Sequence, residues 1–491
     1  MEHRTRSFFV LLPWVVVSCA GNMEPDDGVV GRAEVISELR LARQSGPPTT
    51  VVTATGRADA GSPIQITAND QLLAETTANE LGEFSVEFVV PEQAPPGPLT
   101  IRAMDQEGAI ATASFLVRTG WPQVGFDAAH TNNNRYERLI GRGNVSQLHE
   151  RWQSAKARSA FGTTMAIGTG HVYAVALDGE LHAFKTETGT RRWRIDLGAS
   201  APARLTPAAV NGSVFVTHFA GTFLALDPQF GTVKWRVDGV PPGNIIVSSG
   251  TAFVYGSQLF AISAEGCSAA ICQPSWVSPI LRGTPLTAVP ETAPVVGRGV
   301  VVTPPLSGAR PSVYAFSVSS CSGGSCSPLW NWGVDEGSLS PPAYYGGEGA
   351  DKFIIGSAFG LRGLQPLNGS EIATGLGDER VSWSALAITD TKVFQVSDAL
   401  YAFDLATLNR LWKADIGQDE FARSAAPPVV ANGVIYAAGK DRVVAFDADC
   451  AAAICEPLWQ VNVPGPAGIA VADGRVYVSS TDRSVHCYGL P

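Results

Sequence analysis

The sequence predicts an all-β protein in which a small N-terminal β-sandwich is followed by an eight-bladed β-propeller. Short alternating apolar stretches between residues 32 and 118 favour the sandwich. A tryptophan that recurs at intervals near 41 residues from Trp152 onward, with hairpin signals such as Asn211-Gly212 between the apolar stretches, favours the propeller. With 491 residues, 45% of them hydrophobic, the chain is long enough for two or more cores and too apolar for disorder.

The N-terminus predicts a secretion signal. A basic start is followed by an apolar run over Phe8–Val17, which is too short to span a membrane. The ending Val-Val-Ser-Cys resembles the lipobox of bacterial lipoproteins, so residues 1–18 are the expected signal peptide and Cys19 the expected lipidation site. Ala20 occupies the position at which enteric lipoproteins kept in the inner membrane carry Asp, which favours the outer membrane. Residues 19–31 are polar with Gly and Pro, as in a flexible tether. The alternative is an ordinary signal peptide with a chance cysteine.

The charge of the chain bears on its partners. A formal net charge of −10 disfavours nucleic acid as a partner, because phosphate binding needs clustered Lys and Arg. No later segment approaches the roughly 20 apolar residues of a transmembrane helix. The sequence therefore predicts membrane attachment through the lipid anchor alone.

Residues 32–118 predict a β-sandwich. Turn signals at Gly61-Ser62, Gly82 and Glu107-Gly108, among others, separate strands at roughly ten-residue spacing. The turn glycines and the alternation resemble bacterial immunoglobulin-like (Ig-like) domains of surface and secreted proteins. That resemblance implies a spacer more than a binding module.

Residues 120–491 contain the longer repeat. Its tryptophans are separated by 41, 42, 41, 54, 82 and 47 residues: Trp152, Trp193, Trp235, Trp276, Trp330, Trp412 and Trp459. Because 82 is twice 41, one repeat has lost its tryptophan, and Leu364–Gly375 occupies its place. Counting that repeat gives eight.

Each repeat predicts one propeller blade. Pro207–Asp238 contains four apolar strands, and the fourth carries Trp235. The last repeat supplies three strands, whereas the segment around Trp152 has no blade before it. We therefore expect this segment to supply the outer strand of the last blade, which closes the ring and removes its free edges.

The repeat motif resembles the tryptophan-docking repeat of quinoprotein dehydrogenases and of quinoprotein-like (PQQ-repeat) propellers. The resemblance rests on Ala183–Gly189 with Trp193, on two further copies of this motif, and on the segment that leads into the first repeat. The copies match through Ala225, Asp227, Gly231 and Trp235 and, less fully, through Ala402, Asp404 and Trp412. The lead-in matches through Trp121, Gly125, Asp127, Thr131, Asn144, Val145, Leu148 and Trp152. BamB-type propeller lipoproteins of the outer-membrane assembly machinery share the plan of a lipid anchor followed by eight blades. The resemblance implies that the seven recurring tryptophans pack between blades and do not stack on a quinone.

Catalytic signals are weak. Dehydrogenases of the resembled family use pyrroloquinoline quinone with Ca²⁺ and usually a disulfide between adjacent cysteines, and no two cysteines are adjacent here. Four acidic residues lie in the turn between the second and third strands of their repeats: Asp178, Asp398, Asp441 and Asp482. Asp is favoured in such turns for backbone reasons, so we interpret them as turn formers rather than cofactor ligands. The seven histidines show no pair at metal-ligand spacing: His3, His130, His149, His171, His182, His218 and His486. The sequence therefore predicts no catalytic, cofactor-binding or metal-binding residue and no cofactor.

These observations predict a non-catalytic lipoprotein of the bacterial envelope. Its propeller would bind an envelope protein, and it would face the periplasm or the cell surface from the outer membrane. Two alternatives stay open. One is a dehydrogenase that uses pyrroloquinoline quinone and Ca²⁺; the other is a surface protein that binds glycan or another ligand, with the Ig-like domain as its stalk.

Three C-x₄-C pairs interrupt the repeat between its third and fourth strands. Each arrives with an extension of four or five residues: Cys267–Cys272, Cys321–Cys326 and Cys450–Cys455. An oxidising compartment favours disulfides, whereas a metal site would want C-x₂-C pairs close together. In a propeller of the resembled family these turns lie opposite the quinone pocket. With Cys19 lipidated, Cys487 is left as a buried free thiol.

Overall fold

A computed structural model describes residues 36–491 apart from short stretches at 199–203, 257, 282–283, 286–292, 308–309, 320, 322–323, 335–338, 348–349, 358–359, 376–383, 419–425 and 453. The predicted signal peptide, Cys19 and the tether lie outside the described residues. Within them the regular secondary structure is almost all strand, and helical structure is confined to a 3-10 turn at Val145–Gln147. No helix of the described part is long and apolar enough to cross a membrane.

The N-terminal strands form two sheets over one core. One sheet contains Ser37–Leu41, Val51–Arg57 and Glu83–Val89, and the other contains Ser45–Gly46, Ile110–Val117, Gly97–Asp105, Pro63–Ala68 and Gln71–Thr77. Val52 and Phe84 from the first sheet share a buried cluster with Ile64, Ile101 and Phe115 from the second. The alternating pattern therefore places one face of each sheet inward, and the relationship to Ig-like domains stays a prediction.

The rest of the described chain forms eight sheets, each built on four antiparallel strands, which we call blades 1 to 8 with strands a to d. Blades 1 to 4 are Ala166–Gly168, His171–Val175, Glu180–Lys185 and Arg191–Asp196; Ala208–Val210, Ser213–His218, Thr222–Leu226 and Val233–Asp238; Ile245–Ser248, Thr251–Tyr255, Leu259–Ser263 and Trp276–Val277; Val295–Gly297, Val300–Val302, Ser312–Ser317 and Trp330–Gly333. Blades 5 to 8 are Ala343–Tyr345, Lys352–Ser357, Gly360–Leu364 and Glu371–Thr374; Ala387–Ile388, Lys392–Val396, Leu400–Asp404 and Arg410–Ala414; Val429–Ala431, Val434–Ala438, Arg442–Asp447 and Trp459–Asn462; Pro466–Ala472, Arg475–Ser480, Val485–Gly489 and His149–Gln153.

The a strands surround a central axis. Those of successive blades contact one another, and the a strand of blade 8 contacts that of blade 1. Blade 4 carries an additional pairing between Thr284–Pro285 and Leu306–Ser307. The a–b turns of blades 1 to 4, 7 and 8 have positive φ at both central residues, as predicted at Asn211 (51°) and Gly212 (70°).

The ring closes as the sequence predicts. His149–Gln153 pairs antiparallel with Val485–Gly489 and places Trp152 opposite Cys487. The first propeller strand in the chain is thus the d strand of the last blade. This pairing covers an edge that blade 8 would otherwise expose.

Candidate functional site

One end of the propeller axis is closed by residues 119–134, which we call the axial segment. It begins at blade 1, where Trp121 and Ile167 exchange two backbone hydrogen bonds of 2.9 and 2.6 Å. The carbonyl of Pro122 then accepts from the N–H of Ala209 in blade 2, at 2.6 Å. In blade 3 the contact is made by a side chain instead of the backbone, because Oε1 of Gln123 accepts from the N–H of Val247 at 2.8 Å.

The axial segment continues around the remaining blades in chain order. Four of its carbonyls accept from a-strand N–H groups of blades 4 to 7 at 2.7 to 2.8 Å: Ala128 from Val296, Ala129 from Tyr344, Thr131 from Ile388 and Asn132 from Val430. Asn134 completes the circuit, because its Nδ2 donates to the carbonyl of Val471 in blade 8 at 2.7 Å. All eight blades therefore hold one backbone segment across the axis. The sequence identified this stretch as a lead-in without predicting its closing role.

The sharp turn of the axial segment is held by Asp127. Its carboxylate accepts from the N–H groups of Ala129 and Thr131 at 3.1 and 3.0 Å and from the guanidinium of Arg135 at 3.0 Å. Burial raises the pKa of Asp127, and these hydrogen bonds oppose that rise. Burial also lowers the pKa of neighbouring His130 to about 3, so this imidazole is neutral at physiological pH. These two titratable side chains support the turn.

The recurring tryptophans reach into the following blade. The indole Nε1 of Trp152, Trp193 and Trp330 donates to a carbonyl in the c–d turn of the next blade, at 2.9, 3.0 and 2.8 Å. Nε1 of Trp459 donates to the carbonyl of Leu148 at 3.1 Å, beside the closing strand of blade 8. Trp412 differs, since its Nε1 has no hydrogen-bond partner in the described part of the chain. Four of these indoles thus hydrogen-bond to a neighbouring part of the chain, and Trp412 packs in a buried cluster.

Glycines of the motif make room for these indoles. Gly189, Gly231 and Gly369 have φ near +70° and lie against Trp152, Trp193 and Trp330. A Cβ on Gly231 would lie 2.8 Å from the ring of Trp193, a distance that side chains do not tolerate. Positive φ and close approach together explain why this motif position is glycine.

Blade 5 lacks its tryptophan, and blade 6 compensates. Ala373 pairs with Gly363 where Trp193 pairs with Ala183 in blade 1. The motif position of blade 6 that should be glycine is Leu408, whose N–H bonds to the carbonyl of Asp404 at 2.8 Å, as in the glycine turns. Leu408 keeps φ at +60° and is fully buried, with Ala373 packed against its cluster. The leucine therefore occupies space that the indole fills elsewhere.

The three predicted disulfide pairs lie at bonding distance, with Cα–Cα separations of 5.7, 4.9 and 6.2 Å in chain order. The residue before the second cysteine of each loop pairs in parallel with the residue after the tryptophan of the preceding blade: Ile271 with Arg236, Ser325 with Val277 and Ile454 with Lys413. We call these loops clasps. Each one extends from its own blade and covers part of the outer edge of the blade before it.

The clasp cysteines also pack on the tryptophans of the preceding blades. Cys272 lies in one buried cluster with Trp235, and Cys455 lies in another with Trp412. Cys487 is free and buried, and it occupies the small-residue position of the motif opposite Trp152. Burial raises its thiol pKa to about 12, which keeps it protonated and unreactive.

A family model described as outer membrane protein assembly factor BamB matches residues 143–320 and 396–490, more than half of the chain. The chain belongs to the BamB family. The tryptophan repeat, the ring closure and the eight blades are thus features of a BamB-family propeller.

Quinoprotein dehydrogenases are also similar to this BamB-family chain. Quinohemoprotein alcohol dehydrogenase from Comamonas testosteroni is 28% identical over 142 residues, which span 26% of this chain and only 20% of that protein. Its crystal structure is similar at a TM-score of 0.57 with 16% identity, covering 76% of this chain and 82% of that one. The computationally designed Ika8 protein is similar at a TM-score of 0.55 with 14% identity, covering 70% and 99%. The structural likenesses establish a shared propeller fold.

The residues present do not fit the quinone cofactor of the dehydrogenases. In the described part of the chain, no three His, Cys, Asp or Glu side chains lie close enough to hold a metal ion. The Asp178 and Asp482 carboxylates accept from backbone N–H groups two residues on, at 3.3 and 2.8 Å, as turn formers do. Asp398 instead accepts from the Tyr401 hydroxyl and Asp441 from the Gly465 N–H, at 2.9 and 3.2 Å. We therefore assign no chemistry to a quinone here.

The outer rim of this BamB-family propeller exposes aliphatic side chains. Five of them lie on blades 4 to 6 and on the clasp that extends from blade 7 over blade 6, and each is 47 to 74% exposed: Leu329, Leu367, Ile372, Leu411 and Ile454. We call this set the rim patch. Three others near blade 2 are Phe230, Val233 and Ile271. The rim patch thus places exposed apolar side chains on consecutive blades.

Proposed function

We propose that this chain is a non-catalytic lipoprotein of the bacterial envelope whose propeller binds a protein partner through the rim patch. The observation that carries the proposal is the run of exposed Leu and Ile on blades 4 to 6. Exposed aliphatic side chains gain free energy when a partner covers them, at about 25 cal/mol per Å² of apolar surface. Membership of a family described as an outer-membrane assembly factor supports both the location and the role.

The backbone at the rim patch favours a protein partner. The d strand of blade 5, Glu371–Thr374, pairs on one side with Gly360–Leu364 and has no strand on its other side among the described residues. No clasp covers it, because the c–d turn of blade 6 is the short one that contains Leu408. A free edge beside exposed Ile372 offers both main-chain hydrogen bonds and an apolar anchor to an added strand.

The parts before the propeller are proposed to place it at the membrane. Cys19 would carry the lipid, residues 19–31 would form the tether, and residues 32–118 would act as an Ig-like spacer. Closure of the axis by residues 119–134 supports this arrangement, because the segment that leaves the N-terminal sheets is fixed to every blade. The propeller rim would then be free to meet a partner.

A pull-down from detergent-solubilised outer membrane tests the proposal. The mature lipidated protein is the bait, beside variants with Ile372→Glu and Leu411→Glu in the rim patch. Leu81→Glu is the matched control, since Leu81 is 78% exposed in the N-terminal module. A specific protein that is captured by the native protein and the control but lost from both rim variants supports the proposal. Equal capture by all four proteins refutes it.

A further inference from the structure

A cavity of about 510 Å³ lies between the N-terminal sheets and the propeller. Its roof includes Ser45–Pro47 and Thr50–Val51 from the N-terminal module. Its floor is formed by the axial segment and by the a–b turns of blades 1 and 2, with Thr169–Gly170 and Asn211–Gly212 at its margin. This volume lies within the range of sites that bind small molecules, about 300 to 1,000 Å³, and such sites favour the boundary between structural modules.

The floor of the cavity is apolar and firmly held. Phe126 is 5% exposed and packs against Tyr136, with their ring centroids 6.3 Å apart. Trp121 supports Phe126 from below at 5.3 Å, and Ile167 beside them is fully buried. Because Trp121 and Ile167 also exchange backbone hydrogen bonds, the aromatic floor is fixed to blade 1. A flat apolar group would find a preformed surface there.

The charges around the cavity favour an anion. Two guanidinium groups, Arg43 and Arg118, line it with one carboxylate, Asp473. Asp473 is already engaged, since it accepts from the N–H of Thr119 at 2.6 Å and lies 3.8 Å from the guanidinium of Arg118. Arg43 forms no ion pair with another described residue. The lining is thus net positive in a chain whose formal net charge is −10.

We propose that this cavity binds a small amphipathic anion, an apolar body of two or three rings that carries a single carboxylate or sulfonate. The rings would lie on Phe126 and Tyr136, and the anionic group would pair with Arg43. The site lies over blades 1, 2 and 8, whereas the rim patch lies on blades 4 to 6, so this proposal stands independently of the proposed protein partner.

Binding of two dyes to the full mature chain tests this site. 1-Anilinonaphthalene-8-sulfonate has the expected ring body and one sulfonate, and N-phenyl-1-naphthylamine is its neutral counterpart. Both are titrated into the native protein and into Arg43→Gln, with Arg40→Gln as the control. We expect Arg43→Gln to weaken the sulfonate dye about 3- to 5-fold and to leave the neutral dye unchanged, as for a partly exposed ion pair. Equal affinities for the sulfonate dye in the two variants overturn the role of Arg43.

A filling variant locates the dyes. Val51 lines the cavity and is 54% exposed, so Val51→Trp fills the space without a buried clash. We expect it to weaken both dyes at least 10-fold, whereas Leu72→Trp elsewhere in the N-terminal module leaves both unchanged. Ser45→Trp is a second filling variant if Val51→Trp does not fold. Ile372→Glu controls for binding at the rim patch and is expected to change neither affinity. Native affinity in a folded filling variant, or loss in Ile372→Glu alone, overturns the site.

Discussion

Leu408 and Ala373 form a compensating pair at the interface of blades 5 and 6, and their energetic coupling can be measured. Leu408 is fully buried, so Leu408→Ala removes the side chain from a packed cluster and is expected to destabilise the protein by about 2 to 5 kcal/mol. Leu408→Gly creates a similar cavity. Glycine also removes the cost of holding a side chain at the left-handed φ of +60°, which stabilises the protein by about 1 to 2 kcal/mol. The greater conformational freedom of glycine in the unfolded chain lowers stability by about 0.5 to 1 kcal/mol.

The reciprocal change tests whether the leucine stands in for an indole. Ala373→Trp alone places an indole against Leu408 and is expected to destabilise by about 1 to 3 kcal/mol through overpacking. The double variant Ala373→Trp/Leu408→Gly rebuilds the pair seen at Trp193 and Gly231. We expect it to be at least about 2 kcal/mol more stable than the sum of the single changes implies.

Urea unfolding of the four proteins of a double-mutant cycle measures this coupling. The unfolding transition of the propeller is followed by tryptophan fluorescence and circular dichroism. The native protein, Leu408→Gly, Ala373→Trp and the double variant Ala373→Trp/Leu408→Gly form the cycle. Ala373→Trp/Leu408→Ala is a further control, because its alanine keeps the backbone strain and leaves a Cβ against the new ring. If the two changes add to within about 0.5 kcal/mol, Leu408 does not compensate for the missing tryptophan.

Four further predictions concern other parts of the molecule. Cys487, with its pKa raised to about 12, should resist iodoacetamide at pH 8 in the folded protein and react once urea unfolds it, as mass spectrometry would show. Burial lowers the pKa of His182 to about 4, so the unfolded state binds a proton at this residue before the folded state does as pH falls through 6.5. The native protein should therefore lose stability between pH 7 and 5. In His182→Phe that loss should be smaller by about 2 kcal/mol, as urea unfolding at both pH values would measure. Replacing Cys450 and Cys455 by Ser should cost about 2 kcal/mol and expose the outer edge of blade 6, which hydrogen exchange at Lys413 would report. Added pyrroloquinoline quinone with Ca²⁺ should give neither a bound chromophore nor dye reduction with alcohols; turnover in that assay would contradict the non-catalytic account.

The propeller could be predicted from the sequence because its signals are local and repeated. The tryptophan follows its motif alanine by ten residues in three repeats and by 14 or 15 in the three that carry a cysteine pair. Six of the eight a–b turns carry a dipeptide with positive φ at both residues. Ring closure also followed from counting, since three strands at the C-terminus and one unassigned strand at Trp152 complete a blade. The positions of the three cysteine pairs in the repeat were likewise readable from sequence.

The contacts made by these elements could not be predicted. The axial segment binds eight blades mainly through main-chain carbonyls, which carry no side-chain signature. The parallel pairing of a clasp with the preceding blade depends on how neighbouring blades are oriented. Leu408 is visible in the sequence as a leucine at a glycine position, but only its burial beside Ala373 shows that one change offsets the other.

Photo-crosslinking in the intact cell envelope tests whether the rim patch binds a protein partner. A photoreactive amino acid is placed at Ile372 and Leu411 in the rim patch and, as a control, at Arg192, which occupies the position of Leu411 in blade 1. We expect a crosslink to one envelope protein from both rim positions and none from Arg192. An equal pattern of crosslinks from all three positions, or no protein crosslink from either rim position, would contradict it.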